Sequence, residues 1–204
     1  MALWKKKIGG EIRRHGLEDW WLSVLTENER EAANQLYTPM GAPRGTLTEG
    51  SAERQPELDT VCFVANLAVW LSKPGHMDLA LKVADHARNN WGEPDPSPKA
   101  WQRHFAASHL CKVYYRWRDE VPSALPNAIW ACERGIEVSS MLAPVIEGDI
   151  VVGHHCFRQL AIIREKQGDF NAAISVCHLA KQRGWNDDWD KRIAKLEKKA
   201  ARSA

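Results

Sequence analysis

Residues 154–183 read HHCFRQLAIIREKQGDFNAAISVCHLAKQR, and this stretch decides the fold. Phe157, Leu160 and Ala161 sit at the three- and four-residue spacing of one helix face, and Ala173, Cys177 and Ala180 do the same on a second helix. Gly168 and Asp169 between them reverse the chain. A helical hairpin needs small side chains where its helices cross and a glycine where it turns. The same small positions occur earlier in the chain. Ala68, Gly75, Ala80, Ala84 and Ala87 recur 93 positions later as Ala161, Gly168, Ala173, Cys177 and Ala180. One supersecondary unit is therefore used more than once.

Working outward, Thr26 and Glu29 form a capping-box pattern that predicts a helix to about Tyr37, behind a short apolar segment over 18–25. Residues 38–55 carry Pro39, Gly41, Pro43, Gly45 and Gly50 and read as a long loop. Pro56 suits the first turn of a helix to about Ser72, Lys73-Pro74-Gly75 turns the chain, and a return helix is predicted over 78–90. A proline-rich breaker follows, with Ser97 as a cap for a helix over 99–118. A second helix over 125–141, with Ala128, Ile129, Cys132, Gly135 and Ile136, would complete a middle hairpin with a lengthened turn. The apolar segment 143–153 is expected to fold back on the helices. Trp189, Ile193 and Leu196 mark a last helix that caps the array.

The strongest copy, with Phe157, Leu160, Ala161, Gly168, Asp169, Phe170, Ala173, Ile174, Cys177 and Ala180, resembles a tetratricopeptide-type repeat. The earlier copy matches at Val64, Leu67, Ala68, Gly75, Met77, Ala80, Leu81, Ala84 and Ala87, but His76 replaces the usual acid and Val64 the usual aromatic. The resemblance implies an all-α fold of antiparallel helix pairs, stacked as a short solenoid with long inter-repeat loops and a C-terminal capping helix. Long loops separate the units, unlike contiguous repeats of about 34 residues. The expected organisation is an N-terminal helical segment and loop, 1–55, continuous with a repeat domain, 56–204.

The resemblance also implies a peptide-binding face on the first helix of each pair. By position that face is His155, Arg158, Ile162, Glu165 and Lys166 in the last repeat, and Ala65, Val69, Ser72 and Lys73 in the earlier one. Arg158 is the main candidate for an acidic group, because its planar fork can hold a carboxylate twice. Ile162 stands where a carboxylate clamp would carry Asn, so chaperone-tail binding is not implied. The competing reading has Arg158 pair only with a neighbouring acid such as Glu165 or Glu133, and both readings stand at this point.

Composition narrows the function classes. Lys plus Arg number 28 against 26 Asp plus Glu, a net charge of +2 that argues against a protein built around a nucleic-acid backbone. The basic groups at 5–14 and 191–202 read as solvated ends of the chain. No apolar stretch follows the first lysines, and none reaches the roughly 20 residues of a membrane span, which reads as a cytoplasmic protein with no membrane contact. Five dispersed cysteines read as buried thiols, and most of the ten tryptophans as core, with one of the adjacent pair Trp20 and Trp21 partly exposed.

His154, His155 and Cys156 diverge by about 100° each on a helix and cannot chelate one ion together. A Cys156–His104 nucleophile would have no acid to orient it. No catalytic residue, metal or cofactor is expected. The function expected is a non-enzymatic adaptor that binds a protein or peptide segment in a helical groove. A nucleic-acid or regulatory binder using the basic ends, and an obligate homo-oligomer, are the alternatives.

Overall fold

The structure is a computed structural model that describes residues 8–51, 58–93, 99–142 and 153–203. Among these residues it is all-α, with ten helices packed against neighbours and no strand. The chain forms two compact units, residues 1–91 and 92–204.

The first unit holds α1 (Gly10–Arg14), α2 (Glu18–Val24), α3 (Glu27–Leu36), α4 (Thr60–Leu71) and α5 (Met77–Asn89). The Thr26–Glu29 capping box forms in both directions at the start of α3. Helix α4 begins at Thr60, because the Asp59 carboxylate accepts the Cys62 N–H at 2.9 Å and so caps it. Pro56, expected at its first turn, lies outside the described residues. Val61 to Ala65, Leu67, Ala68 and Leu71 of α4 are all buried, so the helix is apolar nearly all round. It pairs with α5 across a turn at Gly75, whose φ of +80° lies where a side chain would be strained.

Helix α1 was not expected from the sequence. Its first amides are held by a loop some 36 residues later: Gly9, Gly10, Glu11 and Ile12 donate to the carbonyls of Thr48, Gly50, Thr46 and Leu47 at 2.8–3.2 Å. A Cβ at Gly9 would stand 2.5 Å from the Gly50 oxygen, and one at Gly10, at φ +57°, would strike the Thr46 oxygen. The described part of the long loop, 38–51, is thus tied to α1, with Leu47 fully buried.

The second unit holds α6 (Lys99–Arg116), α7 (Ala124–Val138), α8 (His155–Lys166), α9 (Phe170–Gln182) and α10 (Trp189–Ser203). Each packs on the next, and α6 also touches α8, so the first helices of successive hairpins are neighbours. The α8–α9 turn uses Gly168 at φ +78°, and Asp169 caps α9 by accepting the Ala172 N–H at 3.0 Å. The second helices share one stripe of small residues at spacings of four and three. It is Ala80, Ala84 and Ala87 in α5; Ala128, Cys132 and Gly135 in α7; Ala173, Cys177 and Ala180 in α9; all are buried. Helix α10 lays Trp189, Ile193 and Leu196 inward against α9.

Trp21 is buried, while Trp20 is half-buried and stacks on His86 at 4.2 Å. Among the described residues no helix is long and apolar enough to cross a membrane. The expected cap at Ser97 and the apolar segment 143–152 lie outside the described residues.

Candidate functional site

Helix α8 carries His155, Arg158, Ile162, Glu165 and Lys166 at spacings that put all five along one side. Val69 and Lys73 lie in the first unit, half-buried on α4 and exposed in the turn after it. The structure thus brings five of the nine sequence-derived positions onto one helix, while Ala65 and Ser72 of the earlier copy, expected on a binding face, are buried in the core of the first unit.

Arg158 is an exposed cation of that face, with 57% of its side chain open to solvent. Its fork is filled from within the chain. Nε donates to Asp187 Oδ2 at 2.6 Å, and the second guanidinium nitrogen donates to Oδ1. The acid is neither Glu165 nor Glu133, the two neighbours suggested by sequence. Asp187 sits in the connection before α10, also accepts the Asp188 N–H at 2.8 Å, and is only 9% exposed. The hydrogen bond from Arg158 holds the Asp187 carboxyl below its ordinary range, and the same bond raises the guanidinium. An incoming carboxylate at Arg158 therefore has to displace Asp187.

Glu133 instead pairs with Arg164 at 3.5 Å. Glu165 is enclosed by α10: Lys199 lies at 2.7 Å, Lys195 at 3.2 Å and Arg192 at 3.7 Å from its oxygens. The Lys199 hydrogen bond leads in holding its carboxyl low. Lys166 donates to the Tyr115 hydroxyl at 3.1 Å, and Arg118 lies over the same ring at 4.3 Å. His155 is half-buried, and desolvation, with Lys112 and Arg158 nearby, depresses its pKa and favours the neutral imidazole.

A second group was not found by sequence. His104 of α6 and His154, just before α8, meet with Nδ1 and Nε2 3.1 Å apart, both nearly fully buried. Trp185 lies parallel to His104 at 5.9 Å and edge-on to His154 at 4.7 Å, and Phe157 lies 4.8 Å from His154. Burial leads in lowering the two imidazoles to about 4 and about 3. They are a neutral pair sharing one hydrogen bond inside the core.

Cys156 points away from this pair. Its sulfur lies 3.8 Å from Ser108 Oγ, in a buried group where Cys111 and Cys132 sulfurs are 3.2 Å apart. Hydrogen bonds to Cys111 and Cys156 raise the Cys132 thiol, and burial lifts that of Cys177 to about 11, so neither is disposed to act as a thiolate. Among the described residues no group of three or more His, Cys, Asp or Glu side chains could hold a metal ion.

The loop after α3 shapes a cleft in the first unit. Glu27, Arg30, Glu31 and Asn34 on one side of α3, with Arg44 and Thr48 of the loop, line a volume of about 1200 Å³. Arg30 is committed to the Leu25 and Leu22 carbonyls. No protein-family model, curated protein or solved structure matches the chain.

Proposed function

We propose that the chain is a non-enzymatic protein-interaction module built from tetratricopeptide-like hairpins, acting in the cytoplasm as an adaptor for a protein or peptide segment. The observation that carries this reading is the small-residue stripe shared by α5, α7 and α9, together with the side-by-side packing of the first helices α6 and α8. Such packing leaves the outer side of a first helix free to receive an extended or helical partner. Arg158 and Lys166 are exposed on that side with Ile162 half-buried between them, Glu165 is covered by α10, and Asp187 occupies Arg158 in the way a partner's carboxylate would.

Affinity capture from native lysate tests the reading, with the parent chain beside an Arg158→Glu variant at low and high salt. A protein retained by the parent at high salt and lost by the variant supports it. Recovery only of nucleic acid that washes off with salt, or only of the chain itself, overturns it in favour of a polyanion binder or a homo-oligomer.

A further inference from the structure

Helix α10 sorts its charges by side. Trp189, Ile193 and Leu196 form its buried edge. Lys191, Lys195, Lys198 and Arg202, at spacings of four, three and four, lie along the opposite side and are exposed. The two acids, Asp190 and Glu197, fall together on a third sector. The helix macrodipole accounts for cations in the last turn but opposes Lys191 in the first. A side of four like charges also repels itself at the i, i+4 spacing, where mixed signs would attract.

We propose that this outer cation stripe is a docking surface for an acidic segment of a partner protein. The inference rests on the interaction-module reading and names the class of partner. One member of the stripe already shows what the helix holds: Lys195, with its flanking neighbours Lys199 and Arg192, gathers on the single carboxylate of Glu165, at 2.7–3.7 Å. The other three stripe cations, Lys191, Lys198 and Arg202, are exposed and have no ion-pair or hydrogen-bond partner among the described residues. The stripe runs about 17 Å along the helix axis, enough for about five residues of extended chain or three turns of a helix.

Other polyanions fit less well. A duplex groove has phosphates on both walls, and one wall would approach Asp190 and Glu197. A single strand gains from stacking its bases, but the one aromatic residue of α10, Trp189, is buried at 4% exposure. A lipid surface would gain only the electrostatic share of its binding here, because the apolar edge of α10 that would enter it is packed on α9.

Fluorescence anisotropy on the full chain decides the matter, with a labelled glutamate-rich peptide, an oligothymidylate of equal length and phosphatidylserine vesicles as probes. The peptide binds most tightly of the three, and K191Q/K198Q/R202Q weakens it about tenfold. Circular dichroism checks that this variant keeps its helices. Should it not, Lys191→Gln alone is read, for a loss of about twofold. Unchanged peptide affinity in the variant, or tighter binding of the oligothymidylate or the vesicles, overturns the proposal. The triple variant is also run in the lysate capture. A protein that it retains as well as the parent does, while Arg158→Glu loses it, removes the stripe and leaves the module reading intact. Absence of any Arg158-dependent protein removes the module reading itself.

Discussion

Replacing Gly135 with alanine probes the contact that joins two hairpins. Gly135 lies on α7 where Cys156 of α8 comes closest. A Cβ there would stand 2.5 Å from the Cys156 sulfur and 3.1 Å from the Cβ atoms of Cys156 and Ala107. Ordinary contact is about 3.5–4.0 Å, so the sulfur overlap exceeds roughly 1 Å. The sulfur has little room to retreat, since Ser108 lies 3.8 Å away within the buried group. Overpacking of this kind costs up to about 3 kcal/mol, while alanine regains about 1 kcal/mol of helix propensity over glycine. The net expectation is a loss of about 2 kcal/mol, which lowers the urea midpoint by about 1 M at an m-value near 2 kcal/mol per M. Cys156→Ala deletes the sulfur at a cost of about 1 kcal/mol. In that background Gly135→Ala should cost less than about 1 kcal/mol, because only the two Cβ contacts remain. Equilibrium urea unfolding of the four proteins gives the cycle. Gly135→Ala as stable as the parent, or equally costly in both backgrounds, would refute the packing account.

Gly10→Ala should destabilise the first unit by more than about 1 kcal/mol, since the left-handed backbone is strained and the new Cβ meets the Thr46 carbonyl; hydrogen exchange at residues 46–50 should rise with it. His104 and His154 titrate at about 4 and about 3 in the folded chain, against about 6.5 when unfolded. The unfolded chain therefore binds protons that the folded chain refuses, so their contribution is flat above about pH 6.5 and stability falls below it, by about 1.4 kcal/mol per pH unit per imidazole. Urea midpoints across pH 7 to 4.5 should show this slope, and the His104→Phe/His154→Phe pair should reduce it; an unchanged slope contradicts the assignment. Asp187→Asn breaks an ion pair whose arginine is largely exposed, so its stability cost should stay below about 1 kcal/mol in thermal melts, while it frees Arg158 and strengthens capture of an acidic partner.

The hairpins were readable because their determinants are local: a glycine at the turn, Asp169 beside it, and small residues every three or four positions in the second helix. Two features of the same scale were read less well. The start of α4 depends on the Asp59 carboxylate, a cap that the sequence pattern does not separate from Pro56 three positions earlier. Helix α1 has no periodicity to read, since its five residues are stabilised by carbonyls of a loop far along the chain.

The α8 face was legible as a set of positions, because helical spacing alone fixes which side chains share a side. Their partners were not. Asp187 reaches Arg158 from 29 residues away, and Glu165 meets Lys199 from 34, contacts that only the packing of α9 and α10 creates. The His104–His154 pair is of the same kind, with 50 residues between its members. The sequence offers Cys156 as a partner for His104, but the contact is made by His154, two positions before it, and the helix turns the Cys156 sulfur toward Ser108.

The most direct test of the central claim is a photo-crosslinker placed at Ile162, the half-buried centre of the α8 face, and activated in native lysate. Benzoylphenylalanine at this position should trap a segment of another protein, and Arg158→Glu in the same chain should remove the product. Crosslinks confined to the chain itself, or to nucleic acid, would contradict the claim that this face receives a protein partner.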